Sequence, residues 1–228
     1  MYFTWVLLYN QGYNMELTLP IIGGIIAGYA VRRIINWLSI DGYVVSSKDP
    51  SIELIGVASW SWAFLNLPLT EAILFSSIVI VLAGIAFVDY KTFQIPLIFI
   101  LIGLGLALFG IVMNVMYISS ALWGVFVGAM IPLMIMGLLW MITKRQGMGF
   151  GDIQMGVVLG AWLGPTRMAI TLFSASVLSL LTWIGVSIVT DFDKDRAMPM
   201  APFLSIAGTG TYVGSFYYPE FFHLLILQ

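Results

Sequence analysis

The sequence contains no cysteine and only one histidine, and this excludes several kinds of site. Without cysteine there is no disulfide bond, no thiolate nucleophile and no Cys-ligated metal site. The single histidine, His223, leaves little for a zinc site. Because it follows the last predicted helix, far from the other candidate residues, we expect an interfacial role for His223 rather than a Ser-His catalytic site. We therefore predict no metal.

Charge is also scarce. Only 9% of the 228 residues are charged, whereas about a quarter are charged in a typical soluble domain. Hydrophobic residues make up 61% of the chain, and the mean hydropathy is +1.02. The net charge of −2 provides no basic surface for nucleic acid. This composition predicts a protein that is embedded in the lipid bilayer and does not bind nucleic acid.

Long apolar runs are abundant instead. A window of about 20 residues, the length that crosses the hydrocarbon core as a helix, finds eight candidate spans. They cover roughly residues 17–31, 52–67, 69–88, 96–117, 119–142, 153–163, 168–190 and 199–218. We expect residues 2–9 to be an interfacial segment rather than a cleaved signal, because no basic region precedes them. The predicted fold class is all-α, a polytopic integral membrane protein with about eight transmembrane helices.

The positive charges predict the orientation of these spans. If the eight spans alternate and the N-terminus is outside, eight of the nine Lys and Arg residues fall on the cytoplasmic side, and Arg167 alone lies outside. This agrees with the enrichment of Lys and Arg in cytoplasmic loops. We therefore predict a multi-pass protein of the cell (cytoplasmic or inner) membrane with its N-terminus outside.

Glycines four residues apart predict close helix packing within the membrane, because small residues let helix backbones approach each other. The rows are Gly24/Gly28, Gly124/Gly128 and Gly156/Gly160/Gly164. No repeat or linker separates one part of the chain from another. We therefore predict a single polytopic membrane domain over residues 1–228.

Candidate catalytic residues are ionisable groups at membrane depth, where a charge costs about 2.5–3.5 kcal/mol and is kept mainly for function. Two carboxylates meet this description: Asp89 closes the third span, and Asp152 ends a glycine-rich turn before the sixth. The predicted topology places both at the cytoplasmic face. We expect the remaining acidic residues of the predicted loops and helix starts to be solvated or to cap helices. These are Asp41, Asp49, Glu53, Glu71 and Glu220.

Two carboxylates at one depth can form an aspartyl-protease dyad, in which one is ionised and the other protonated. The ionised group takes a proton from an attacking water, and the protonated group donates to the carbonyl oxygen of the scissile amide. The glycines before Asp152 would allow a substrate strand to approach closely. The alternative is that Asp152 is a helix N-cap and Asp89 a juxtamembrane residue facing Lys91. The pattern alone leaves both interpretations open.

The sequence around both aspartates resembles that of the type IV prepilin peptidases, polytopic aspartyl proteases of the GxGD class. The resemblance rests on Asp89-x5-Ile95-Pro96 and on Gly149-Phe150-Gly151-Asp152, and it extends to segments 159–164 and 198–204. It covers about residues 69–212, the expected catalytic part. The resemblance implies that Asp89 and Asp152 are the catalytic pair. It also implies a substrate and active-site loop role for a second set of residues, namely Gly147, Gly149, Gly151, Ile95 and Pro96.

The same resemblance implies a substrate and a reaction. Members of the family remove a short basic leader from prepilin-like or preflagellin-like precursors, whose leader precedes a hydrophobic helix, at the cytoplasmic face of the membrane. No cofactor is implied for proteolysis. S-adenosylmethionine would be needed only for an N-methyltransferase activity, which many bacterial members also have.

Two departures from the family pattern bear on these expectations. Gln154 stands where many bacterial members have a lysine, and the loop at about residues 36–51 is too short for their insertion with two Cys-x-x-Cys pairs. Archaeal members also lack that insertion. Methyltransferase activity, the lineage and the particular pilin or flagellin are therefore left open.

Two other functions remain as alternatives. A presenilin-like intramembrane protease shares the GxGD motif, but it usually has a tyrosine where Val88 precedes Asp89 here, and a Pro-Ala-Leu motif that this chain lacks. A proton-coupled transporter would use Asp89 and Asp152 as a relay, but transporter sites concentrate near the bilayer midplane.

Overall fold

The computed structural model describes residues 2–144, 149–190 and 197–224, and within these ranges it contains helices and no β-strand. The all-α prediction is therefore confirmed for this part of the chain. A short 3-10 turn, Ile40–Gly42, follows the first helix. The helices are α1 (Tyr2–Leu38), α2 (Ser51–Asn66), α3 (Leu69–Thr92), α4 (Leu97–Val112), α5 (Ile118–Thr143), α6 (Phe150–Val189), α7 (Ala201–Tyr217) and α8 (Pro219–Leu224).

Four helical segments in the described part of the chain are long and apolar enough to cross a membrane. They are Leu17–Leu38, Leu69–Thr92, Ile118–Ile142 and Phe150–Val189. Helix α4 is apolar but shorter. These segments make the chain an integral membrane protein, while the count of eight crossings and the outside N-terminus stay predictions.

Helix α6 is interrupted at Gly164, where the backbone adopts φ 75° and ψ 176°. Residues other than glycine rarely adopt this conformation. Pro165 follows directly and has no N–H to continue the helix. A Cβ at position 164 would also overlap Ser120 Oγ. The break separates 150–163 from 165–189, which agrees with the two predicted spans 153–163 and 168–190.

The ends of two helices differ from the prediction. Helix α1 continues to Leu38 because Arg32 and Arg33 end the apolar run but are themselves good helix formers. Helix α4 ends at Val112 rather than near residue 117. Its end is closed by Asn114 in the left-handed region (φ 57°) and by a 2.9 Å hydrogen bond from the Val115 N–H to the Gly110 carbonyl, a Schellman motif.

The chain divides into two compact units, Met1–Gly84 and Ile85–Gln228, whose boundary lies within α3. The single-domain prediction stays a prediction. In the first unit the Gly24/Gly28 row packs against α2. A Cβ at Gly24 would lie 2.6 Å from the Gly56 carbonyl carbon, and one at Gly28 would lie 2.6 Å from Glu53 Cα. The predicted role of this row in close helix packing is confirmed.

An ion pair joins α1 to α2 in the first unit. Arg32 Nη2 lies 2.8 Å from Glu53 Oε1, and the two side chains are only 15% and 12% exposed. The expectation that Glu53 is solvated or caps its helix is therefore wrong, because α1 covers it and supplies a cation. One turn later, Asn36 accepts a hydrogen bond from the Val45 N–H (2.7 Å) and donates one to the Val45 carbonyl (3.1 Å). Asn36 thus holds the middle of the loop between the helices, and Arg32 holds its end.

In the second unit, glycines also bring α5 against α6. A Cβ at Gly124 would overlap the Gly160 carbonyl oxygen, and one at Gly128 would overlap that of Gly156. The predicted glycine rows therefore face each other. Helix α7 packs on the other side through an aromatic stack, with the Trp162 and Tyr212 ring centroids 5.0 Å apart.

Candidate active site

Asp89 is buried near the end of α3. It lies three residues before Thr92, the last residue of that helix, and is 5% exposed. A buried carboxylate requires hydrogen-bond partners, because removal from water is costly. Its Oδ2 accepts a 3.0 Å hydrogen bond from the backbone N–H of Ala201, 112 residues later in the chain.

The partner of Asp89 is the first residue of α7. Ala201 is completely buried, and the next residue, Pro202, has no N–H. The first N–H groups of a helix have no partner within that helix, and a carboxylate placed there is stabilised by the positive end of the helix dipole. Without Asp89, the buried N–H of Ala201 would lose its partner at a cost of about 1–3 kcal/mol.

Sequence reasoning does not identify Ala201. Segment 198–204 resembles the family in sequence, but its contribution to the site is the backbone N–H of Ala201. A motif of side chains does not indicate which backbone N–H is used. The available signal is the start of a helix: Pro199 and Pro202 flank the first residue of α7, where free N–H groups are expected.

Asp152 is the third residue of α6 and is partly buried. Its Oδ2 accepts a 3.2 Å hydrogen bond from the Gly149 N–H, and its own N–H donates to the Gly149 carbonyl (3.2 Å). The alternative that Asp152 is the N-cap is therefore wrong: Gly149 is the N-cap, and Asp152 is the N3 residue that reaches back to it.

The structure brings the two aspartates together within the second unit. Asp152 is close enough to Asp89 for electrostatic repulsion between the carboxylates, and both are partly or fully withdrawn from solvent. The cation nearest to Asp89 in the sequence, Lys91, places its ammonium over the Tyr90 ring, 5.0 Å from the centroid. Two interacting carboxylates can share one proton, so that they titrate as a pair.

The loop that follows α3 contacts the GxGD turn. A Cβ at Gly151 would lie 3.0 Å from Ile95 Cβ, so the two segments are in contact and a side chain at position 151 would push them apart slightly. Pro96 is buried and is the N-cap of α4. Phe93, the first residue after α3, has a φ of 55° and starts the loop. Ile95 and Gly151, both predicted as active-site loop residues, therefore lie side by side.

The remaining predicted residues divide into two groups. Gly149 is exposed and holds Asp152 through its N–H. Gly147 lies outside the described residues. In the described ranges no three His, Cys, Asp or Glu side chains come together as metal ligands would.

Large apolar side chains next to the site in sequence are exposed. Tyr90 and Phe93 follow Asp89, Leu97 follows Pro96, and Phe150 lies in the GxGD turn; they are between 56% and 66% exposed. These side chains suit contact with lipid or with an apolar substrate segment.

Comparison with known proteins identifies relatives of this chain. A family model described as the type IV leader peptidase family matches residues 73–184, a range that includes both aspartates. A relative from Dichelobacter nodosus is 33% identical over 49% of this chain and 37% of its own length. Two others, from Stutzerimonas stutzeri and Pseudomonas putida, are 27% and 30% identical over 77% and 72% of this chain.

All three relatives are named prepilin leader peptidase/N-methyltransferase. The chain spans less than two thirds of their length, with 63% for the Stutzerimonas stutzeri protein and 58% for the Pseudomonas putida protein. No solved structure matches the chain. The family match and these relatives confirm the resemblance to the type IV leader peptidase family that was inferred from the two aspartate motifs.

Proposed function

We propose that this protein is a membrane aspartyl endopeptidase that removes the short basic leader from prepilin-like or preflagellin-like precursors at the cytoplasmic membrane face. The observation that carries the proposal is the approach of Asp89 and Asp152 within one compact unit, close enough to repel each other. The family match over residues 73–184 includes both aspartates, and the description of that family as leader peptidases supports the substrate class.

The proposed chemistry needs a water molecule and the two carboxylates. The ionised carboxylate takes a proton from the water, and the resulting hydroxide equivalent attacks the carbonyl carbon of the scissile amide. The protonated carboxyl donates its proton to the carbonyl oxygen. Collapse of the tetrahedral intermediate then breaks the C–N bond: the carboxyl that took the proton from water donates it to the leaving nitrogen, and the other carboxylate recovers a proton from a hydroxyl of the intermediate. No covalent enzyme intermediate is formed, and no S-adenosylmethionine is consumed by cleavage.

The position of the aspartates favours a protease over a transporter relay. Both lie at the ends of their helices, three residues before the end of α3 and at the third residue of α6. A substrate with a basic leader and an apolar helix would then place its scissile bond at the end of its own membrane helix. The exposed side chains of Tyr90, Phe93 and Phe150 give the apolar helix a surface to contact.

The proposed orientation has its own test, because the native chain has no cysteine. Single cysteines introduced at exposed Ser47 and at exposed Asn114 should react on opposite sides of the membrane. A membrane-impermeant maleimide added to intact cells should label Asn114→Cys and should reach Ser47→Cys only after the membrane is opened. The opposite labelling would overturn the outside N-terminus.

Activity is tested by co-expression with a tagged type IV prepilin, comparing the native protein with Asp89→Asn and Asp152→Asn at equal membrane levels. Native protein should remove the leader, and each variant should be inactive. Asp41→Asn is the matched control, since Asp41 is exposed in a turn with φ 49° that asparagine adopts readily. Cleavage by both site variants at the native rate would refute the catalytic assignment.

The same experiment addresses methylation separately. The mass of the mature prepilin N-terminus, measured with S-adenosylmethionine present, shows whether a methyl group has been added. Cleavage without methylation would agree with the proposal as stated, which concerns peptide hydrolysis alone.

A further inference from the structure

The hydrogen bond between Asp89 and Ala201 gives α7 a direct connection to the proposed reaction. Asp89 is at the end of one helix and Ala201 at the start of another, and the N–H to Oδ2 distance is 3.0 Å between two buried residues. The bond fixes one carboxylate oxygen. The rotation of the Asp89 side chain is thereby restricted, and so is the direction in which its other oxygen points.

We infer that Ala201 is a positioning residue of the active site, acting through its backbone N–H to hold the Asp89 carboxylate in the orientation needed to take a proton from water. This inference rests on the proposed function. It also gives a reason for the sequence at the start of α7, because Pro202 lacks an N–H and Leu204 donates its N–H to the Met200 carbonyl. The N–H of Ala201, the first of α7, donates to the carboxylate instead of to a group of its own helix.

Asp89 and Asp152 are held differently. The N–H that holds Asp152 comes from Gly149 in the same turn and is exposed, whereas the N–H that holds Asp89 comes from a different helix and is buried. A shift at the start of α7 would thus act directly on Asp89, whereas Asp152 is held by a hydrogen bond within its own turn. Because an error of about 1 Å in the position of a reacting group can reduce the rate roughly a hundredfold, this connection would control turnover.

The decisive experiment removes the N–H and leaves the side chain. The full chain is made by cell-free translation into nanodiscs with lactic acid in place of Ala201, which replaces the N–H by an ester oxygen. The matched control has lactic acid in place of Ala207, another buried alanine of α7, whose N–H lies within the helix. Cleavage of a purified tagged type IV prepilin is followed over a range of pH for native and both esters.

We expect the ester at position 201 to lower kcat roughly ten- to a hundredfold with KM nearly unchanged, and the ester at position 207 to leave kcat within about twofold of native. The acidic limb of the rate profile should move to higher pH by about one unit in the first ester alone, because a donor to the ionised carboxylate is lost. Asp152 on α6 is the titratable group that interacts with Asp89, and it is unchanged in both proteins.

Three outcomes contradict the inference while leaving the proposed function intact. These are a native kcat and pH profile in the ester at position 201, an equal loss of activity in both esters, and an increase in KM without a change in kcat. If native protein itself does not cleave the prepilin, the proposed function fails instead. A melting temperature for each ester separates loss of folded protein from loss of turnover.

Discussion

Asp89 Oδ2 accepts a hydrogen bond from the Ala201 N–H at 3.0 Å, and this bond joins the end of α3 to the start of α7. Asparagine at position 89 keeps an oxygen that can accept the bond, whereas alanine leaves the buried N–H without a partner. We therefore expect Asp89→Asn to abolish cleavage but keep the native melting temperature. Asp89→Ala should abolish cleavage and lower the free energy of unfolding by about 1–3 kcal/mol.

The same pair of substitutions at Asp152 is the control for this prediction. Its partner N–H, on Gly149, is exposed, so water can replace the carboxylate. We expect Asp152→Ala to cost only about 0.5–1 kcal/mol, as the loss of an exposed helix cap does. Equal destabilisation by Asp89→Ala and Asp89→Asn would show that the bond to Ala201 does not stabilise the fold.

The contact between Gly151 and Ile95 predicts a defect that a second substitution repairs. Gly151→Ala places a Cβ 3.0 Å from Ile95 Cβ and should displace the turn that carries Asp152. We expect kcat/KM for prepilin cleavage to fall roughly tenfold. Gly151→Ala combined with Ile95→Gly should recover most of the activity, because glycine at position 95 removes the Cβ that the new methyl group meets.

Gly105→Ala is the control for the Gly151 experiment, since a Cβ at position 105 meets nothing within 4 Å. It should leave cleavage unchanged. If Gly151→Ala were as active as Gly105→Ala, close contact between the turn and the loop after α3 would not matter for catalysis.

The facing glycines of α5 and α6 predict a position-dependent effect on stability. Gly128→Leu places its side chain against the Gly156 carbonyl, whereas Gly137→Leu, on the same helix, meets open space. Overpacking of this kind costs about 1–3 kcal/mol, so Gly128→Leu should lower the melting temperature by about 2–12 °C. Melting curves in one detergent compare the two variants directly, and similar curves would mean that the helices do not pack at Gly128.

The Arg32–Glu53 ion pair predicts non-additive substitutions. Arg32→Ala leaves the Glu53 carboxylate nearly buried and without its cation, and we expect a loss of about 1–3 kcal/mol, less than the about 3–5 for a fully buried pair. Arg32→Met combined with Glu53→Leu should be more stable than either Arg32→Met or Glu53→Leu alone, because no unpaired charge remains. The melting temperatures of the three variants and of native protein measure the coupling.

Arg33→Ala serves as the control for the ion pair, because Arg33 is the neighbouring residue and is exposed. Its effect should stay within about 0.5 kcal/mol. A double substitution less stable than both single ones would show that the pair contributes more than mutual neutralisation.

Most helices, the packing glycines and the two candidate aspartates could be predicted from the sequence. Apolar runs of membrane length and glycines four residues apart are local patterns, and backbone hydrogen bonding in a bilayer leaves a helix as the only way to use them. Even the break at Gly164 was indicated locally, because Gly-Pro interrupts a helix in most contexts.

Only the tertiary structure decided which groups meet. Ala201 contributes a backbone N–H that is identical in every residue except proline, so no motif distinguishes it, and its partner lies 112 residues away. Glu53 became an ion-pair partner because α1 folds over it, and Gly151 meets Ile95 because two turns are brought together. Local sequence sets conformation, but a contact between distant segments depends on how all the helices pack, and that is decided by the fold as a whole.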